Sequence, residues 1–224
     1  VKRDTFVAQR IRYVVQLLFF LIFVWLITHR AQQRWLMIFL ATLPLSVLLG
    51  RVFCGWMCPI NTVMIPVYWL GKKLGISHRE PPTWARSGYW KWVVLIISFL
   101  LMSMGRRVGL KINVMVLLTV VAALVTLLYK PEFWHKYLCP FGALQNLTGR
   151  WAYYDQKVDQ SPCTGCRLCQ KTCPAGAITI SNRKANIDPT FCLTCLDCTP
   201  VCPTEAISYG RSKEDTKGSA SVAG

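Results

Sequence analysis

Residues 163–174 read CTGCRLCQKTCP and residues 192–203 read CLTCLDCTPVCP. Both spell Cys-x2-Cys-x2-Cys-x3-Cys-Pro, and together they hold eight of the chain's eleven cysteines. Gaps of two residues are too dense for an ordinary disulfide framework. They bring three soft sulfur donors onto one loop, which suits the irons of a cubane iron–sulfur cluster. Zinc sites usually pair two Cys-x2-Cys units across a longer gap, so this doubled pattern disfavours zinc. In this arrangement the fourth cysteine, followed by proline, ligates the other cluster. Cys163, Cys166, Cys169 and Cys202 are therefore expected to hold one [4Fe–4S] cluster, and Cys192, Cys195, Cys198 and Cys173 the other. The crossing ties together a segment of about 60 residues that is too small to build much core.

The two words belong to an internal repeat of 29 residues. Cys163 maps to Cys192, Cys173 to Cys202, Ala177 to Ala206 and Ile178 to Ile207. Each word is followed by a short β-like run, 177–181 and 206–209. Residues 151–210 thus read as an α+β domain of two-[4Fe–4S] ferredoxin type. The stretch 211–224, rich in Lys, Ser, Gly and acid, is expected to be disordered.

Upstream, the composition changes. The chain is 53% hydrophobic and only 16% charged, against roughly 25% charged for an average soluble protein. Apolar runs cover 11–28, 35–49, 89–104 and 108–129, and a bilayer core takes about 20 helical residues. Residues 1–150 are therefore expected to form an all-α membrane bundle of four transmembrane helices. The first run lacks a small-residue cleavage site, so it reads as a span rather than a leader. Residues 60–74, interrupted by Pro66, read as an interfacial or re-entrant helix. Lys and Arg number thirteen on the side of the N-terminus, the middle loop and the stretch after the fourth run, against five in the two short turns. By the positive-inside rule both termini and the cysteine-rich domain face the cytoplasm of a multi-pass inner-membrane protein. Reduced thiolates suit that compartment. The net charge of +16 is spread beside apolar runs rather than gathered on one soluble face, which argues against a nucleic-acid partner. No Asp, Glu or His falls inside a run, which argues against an ion pump.

Three cysteines lie outside the two words. Arg51-Val-Phe-Cys54-Gly-Trp-Met-Cys58-Pro59 follows the second run, and His135-Lys-Tyr-Leu-Cys139-Pro140-Phe-Gly follows the fourth. Each contains a Cys-Pro preceded, four residues earlier, by Cys54 or His135. Cys54, Cys58, Cys139 and His135 are a chemically sensible four-ligand set for a metal or a third cluster. Buried cysteines that serve only as small apolar side chains are the alternative. No residue is assigned a catalytic role.

The combination of the two ferredoxin words with Cys54-Gly-Trp-Met-Cys58-Pro59 and Tyr137-Leu-Cys139-Pro140-Phe-Gly-Ala resembles the NapH/NosR family of membrane iron–sulfur, polyferredoxin-like proteins, described as quinol dehydrogenases. The resemblance covers about residues 8–210 and is closer to the NapH branch. It departs where His135 replaces the first cysteine of the second Cys-x3-Cys-Pro. It implies electron transfer between the quinone/quinol pool and a partner redox protein, as a subunit of a larger membrane complex. Bilayer lipid, quinone and other redox subunits would be its partners. A related branch, of CcoG/RdxA type, implies redox-linked copper handling or oxidase assembly instead. A passive membrane anchor for a ferredoxin module is the third alternative.

Overall fold

The computed structural model describes residues 2–29, 31–76, 81–108 and 113–211. Its first half is helical: α1 (Lys2–Thr28), α2 (Gln32–Leu49), α3 (Pro59–Lys73), α4 (Trp90–Val108), α5 (Val114–Leu128), α6 (Pro131–Phe133) and α7 (Pro140–Gly149). A five-residue π-helical turn precedes α3 (Phe53–Met57) and another precedes α7 (Trp134–Leu138). The second half carries β1 (Tyr154–Val158), α8 (Leu168–Thr172), β2 (Ile178–Ser181), β3 (Lys184–Ile187) and β4 (Ile207–Arg211). β1 pairs antiparallel with β4, and β2 with β3, as separate two-stranded sheets. The β1–β4 pair closes the segment end to end, with Val158 opposite Ile207.

The helical half is built from two similar units. α2, a π-turn and α3 form the first; α5, α6, a π-turn and α7 form the second. The units interlock, because α3 packs on α5 and α2 on α7. Aromatic side chains fill the centre. Phe39 meets Phe53 and Phe141 edge-on at 5.1 and 4.9 Å, and Phe23 meets Trp35 at 5.2 Å. Edge-to-face packing adds roughly 0.5–1.5 kcal/mol per pair beyond area burial. Ala122 supplies the gap in α5 that lets neighbours close over it.

The expected four-span bundle is not what forms. Among the described residues one helix, Phe6–Thr28, is long and apolar enough to cross a membrane. The other apolar helices, Gln33–Leu49, Trp90–Met104 and Val114–Leu128, are shorter, and the whole is a mixed α/β fold. The fourth run shows why. Its 22 residues read as one span, but the Asn113 side chain accepts a hydrogen bond from Val116 N and caps the helix, and Tyr129 turns extended. The 15 residues left measure about 22 Å at 1.5 Å per residue, short of a core of about 30 Å. The multi-pass inner-membrane topology falls with the bundle. Its charge count compared loops between four spans, and one span-length helix does not define those loops. The turn expected at Gly105–Arg107 is instead the end of α4.

The helix expected at 60–74 is α3, and it runs on through Pro66. The strand expected at 206–209 extends to Arg211. The disorder expected for 211–224 fails at Arg211, which pairs with Tyr154 at the end of β4; 212–224 lie outside the described residues.

Candidate functional site

The two π-turns position the cysteines that lie outside the repeat. Cys58 N donates to Phe53 O and Cys139 N to Trp134 O, both at 2.9 Å and both five residues back. Such widened turns concentrate at functional sites. Each then stops at a Cys-Pro. The residue before proline is pushed out of the helical region, and Cys58 and Cys139 have ψ of 118° and 114°. Pro59 and Pro140 begin the next helices, where a missing N–H costs nothing. Cys58 and Cys139 are therefore helix N-caps, and Cys139 Sγ accepts from Gly142 N at 3.4 Å.

Cys54, Cys58 and Cys139 are all buried and are electrostatic neighbours of one another. Burial first, and the charge on Cys54 second, push the Cys139 thiol up to about 12. Burial, then Cys54 and Cys139, push Cys58 higher still. Helix N-termini favour thiolate, but here desolvation and mutual repulsion win. Three thiolates can coexist at this spot only beside positive charge. One source is present: Arg51, fully buried, donates to Cys54 Sγ at 3.5 Å and to Thr190 O at 3.2 Å. Gly142 and Gly149 make room for it, since a Cβ on Gly149 would sit 2.8 Å from Arg51 Cγ.

His135 occupies the place in the second unit that Cys54 holds in the first. It is buried, its Nε2 has no partner, and burial followed by Arg51 drives its pKa down to about 3. It is a neutral imidazole beside the guanidinium. Among the described residues no group of three or more His, Cys, Asp or Glu is arranged to hold a single metal ion.

The first π-turn docks on the second half. Trp56 Nε1 donates to Thr194 O at 2.9 Å. The backbone of Gly55 lies so close to Leu193 that a Cβ there would collide with the Leu193 carbonyl. Gln16 of α1 donates to Gly55 O at 2.7 Å. Arg12 of α1, buried, makes a bidentate pair with Asp197 at 2.8 and 3.1 Å, and Gln9 donates to the same carboxylate.

Within the second half, Cys163, Cys166, Cys169 and Cys202 line one pocket, and Cys173, Cys192, Cys195 and Cys198 line another. These are the two crossed sets. Backbone N–H groups already point at several sulfurs: Ala177 N at Cys173, Ala185 N at Cys163 and Ala206 N at Cys202, at 3.3 to 3.4 Å. Burial raises the thiols of Cys169, Cys173, Cys192, Cys195 and Cys198, with neighbouring charges adding in most of them. A donor set of that kind fits a cluster, whose irons neutralise sulfurs that the protein alone would keep protonated. The pockets differ in exposure. Cys192, Cys195 and Cys198 are buried, whereas Cys166 is exposed.

An apolar cavity of about 240 Å³ lies between α2, α4, α5 and α7. Phe39, Leu118, Pro140 and Phe141 are among its walls, so it reaches the residues that follow Cys139.

Two family models match the chain. One, described as a 4Fe-4S binding domain, matches residues 32–77 and 112–152; the other, a 4Fe-4S dicluster domain, matches residues 162–206. The chain is 36% identical over 136 residues to an uncharacterised protein of Methanocaldococcus jannaschii, covering 58% of this chain and 54% of that one. It is 32% identical over 145 residues to the methylamine utilization ferredoxin-type protein MauN of Methylorubrum extorquens, covering 55% and 47%. It is 31% identical over 147 residues to the ferredoxin-type protein NapH of Haemophilus influenzae, covering 59% and 50%. The chain is a distant relative of the ferredoxin-type iron–sulfur electron-transfer proteins. It spans about half the length of these curated relatives. Each of the two segments matched by the first family model contains one of the π-turns.

Sequence reasoning named the cysteines and His135 but missed Arg51, Arg12 and Asp197 as parts of the site. Both arginines were counted only as orientation charges. Their one visible signal was that each is a basic residue at the edge of an apolar run.

Proposed function

We propose that the protein carries electrons between the quinone/quinol pool and a partner redox protein, as a quinol-dehydrogenase-type subunit of a larger complex. The observation that supports this best is the docking of the Gly50–Cys58 loop on Thr190–Cys195, through Arg51, Gly55 and Trp56. It joins the buried thiols to one of the two cysteine pockets by direct contact. Cys163, Cys166, Cys169 and Cys202 hold one [4Fe–4S] cluster; Cys192, Cys195, Cys198 and Cys173 hold the other. Bound there, the clusters supply two one-electron acceptors, the capacity that a two-electron quinol needs.

The apolar cavity ending at Pro140 and Phe141 is the place for the quinol ring. Its lining is almost wholly apolar and includes Pro140, the residue after Cys139. α1 is the segment that associates the protein with lipid. Residues 1–150 form the quinol-facing unit and 151–210 the cluster-bearing unit.

Arg51 favours a further centre at the thiols. A buried guanidinium is costly without an anion, and Arg51 donates to a thiol and a carbonyl. An anionic iron–sulfur centre held by Cys54, Cys58 and Cys139, with His135 as the fourth donor, would supply the missing charge. Iron and acid-labile sulfide per chain test this. Two clusters give about eight irons and three give about twelve; fewer than about eight would refute the assignment of two clusters. Replacing Cys54, Cys58 or Cys139 by Ser should abolish reduction by a quinol analogue while dithionite still reduces the two ferredoxin clusters.

A further inference from the structure

Four cations from four parts of the helical half converge on the loop from Thr190 to Cys198. Arg12 comes from α1 and holds Asp197, the residue just before Cys198 in the cysteine word, with two hydrogen bonds. Arg51, just after α2, donates to Thr190 O. Lys91 of α4 and Lys136 of the second π-turn place their Nζ atoms 5.7 and 5.3 Å from the centre of the Phe191 ring, next to Cys192. Lys136 also donates to Gly176 O, three residues beyond Cys173, at 2.9 Å. The other cysteine loop is served from its own half, by Lys184, which donates to Cys163 O at 2.7 Å. Nothing in the ligand pattern demands this difference, because the two words are repeats of each other.

We propose that Arg12, Arg51, Lys91 and Lys136 form a cationic collar that raises the reduction potential of the cluster at Cys192, Cys195, Cys198 and Cys173. This rests on the ligand assignment above. A cluster gains one negative charge when it takes an electron and breaks no bond. Positive charge nearby therefore favours the reduced form, and more strongly in a low-dielectric site. Burial of that cluster acts the other way, by disfavouring the more highly charged form. The collar offsets this penalty, so that the cluster touching the quinol-facing unit can accept an electron.

Arg12 and Asp197 give the proposal its sharpest signature, because they are opposite charges locked in one pair. Arg12→Gln leaves Asp197 unmasked beside the cluster and should lower its potential. Asp197→Asn leaves Arg12 unmasked and should raise it. The double variant should lie between the two. Lys136→Gln should lower the same potential by less, and Lys184→Gln should move only the other cluster.

The experiment is an EPR-monitored redox titration of the purified full chain, after iron and sulfide have been measured on each variant. The collar is supported if one cluster moves down in Arg12→Gln and up in Asp197→Asn while its companion stays. It is overturned if both variants shift that cluster the same way, if both clusters move together, or if neither moves at full iron content. Should Arg12→Gln lose iron, Asp197→Asn and Lys136→Gln decide the matter by the same signs. A wild-type protein with well under about eight irons would instead refute the underlying ligand assignment.

Discussion

Arg51 carries more of the site's logic than any single cysteine. It touches Cys54, it reaches the carbonyl of Thr190, it adds to burial in lowering the His135 pKa, and it works against burial at Cys139. If its counter-charge is a bound anionic centre, Arg51→Met should lower iron content and quinol reactivity together. If no anion is held there, the same change removes an uncompensated buried charge and should be neutral or stabilising. Melting and iron analysis on one sample separate these outcomes. In the metal-free chain His135 makes a pH prediction. Its pKa is lowered from an ordinary 6.5 to about 3, so the unfolded chain binds the extra proton first. Stability should be full above about pH 6.5, fall as pH drops towards 3 and level off below that. His135→Asn should flatten that part of the acid-denaturation curve. Gly55 is the third such residue. An added methyl would run into the Leu193 carbonyl, and overpacking of this kind costs about 1–3 kcal/mol. Gly55→Ala should lower the melting temperature by several degrees and slow quinol-driven reduction with iron content unchanged.

The π-turns and α1 show what could and could not be read from the chain. The paired Cys-Pro words were legible because proline fixes the backbone on both sides of the peptide bond. The widened turns before them were not, since five-residue hydrogen bonding leaves no compositional trace. Deleting Met57 should restore an ordinary helical turn and swing Cys54 away from Cys58. Such a variant should keep its two ferredoxin clusters and lose quinol reactivity, as iron analysis and an activity assay would show. Helix lengths were misread for a related reason. Hydropathy marks where a chain is apolar, but Asn113 and Tyr129 decide where α5 begins and ends. One helix of span length survives, not four. The Arg12–Asp197 contact, between residues 185 positions apart, had no local signature at all. The pair is only partly buried, so breaking it costs less than the about 3–5 kcal/mol of a fully buried one, but it still fastens α1 to the cysteine-rich half as well as to its helical neighbours.

At the scale of the molecule, the two halves act as one body because the contacts between them are backbone-close and charged. The grouping of the eight regular cysteines was legible in their spacing, since the structure lines one pocket with each expected set. Their unequal surroundings were not, because a sequence repeat hides which copy faces inward. The set with Cys192, Cys195 and Cys198 lies against the helical half, and only the other set has an exposed member, Cys166. The proposed relay would run from the apolar cavity, past the thiols, to a cluster at Cys192, Cys195, Cys198 and Cys173, then to the second cluster and a partner. The most direct test is rapid-freeze EPR after mixing the oxidised full chain with a short-chain quinol. The expected result is that cluster signals appear in the wild type and are absent in Cys54→Ser, Cys58→Ser and Cys139→Ser, although dithionite still elicits them in all four proteins. Equal quinol-driven signals in all four would contradict the relay.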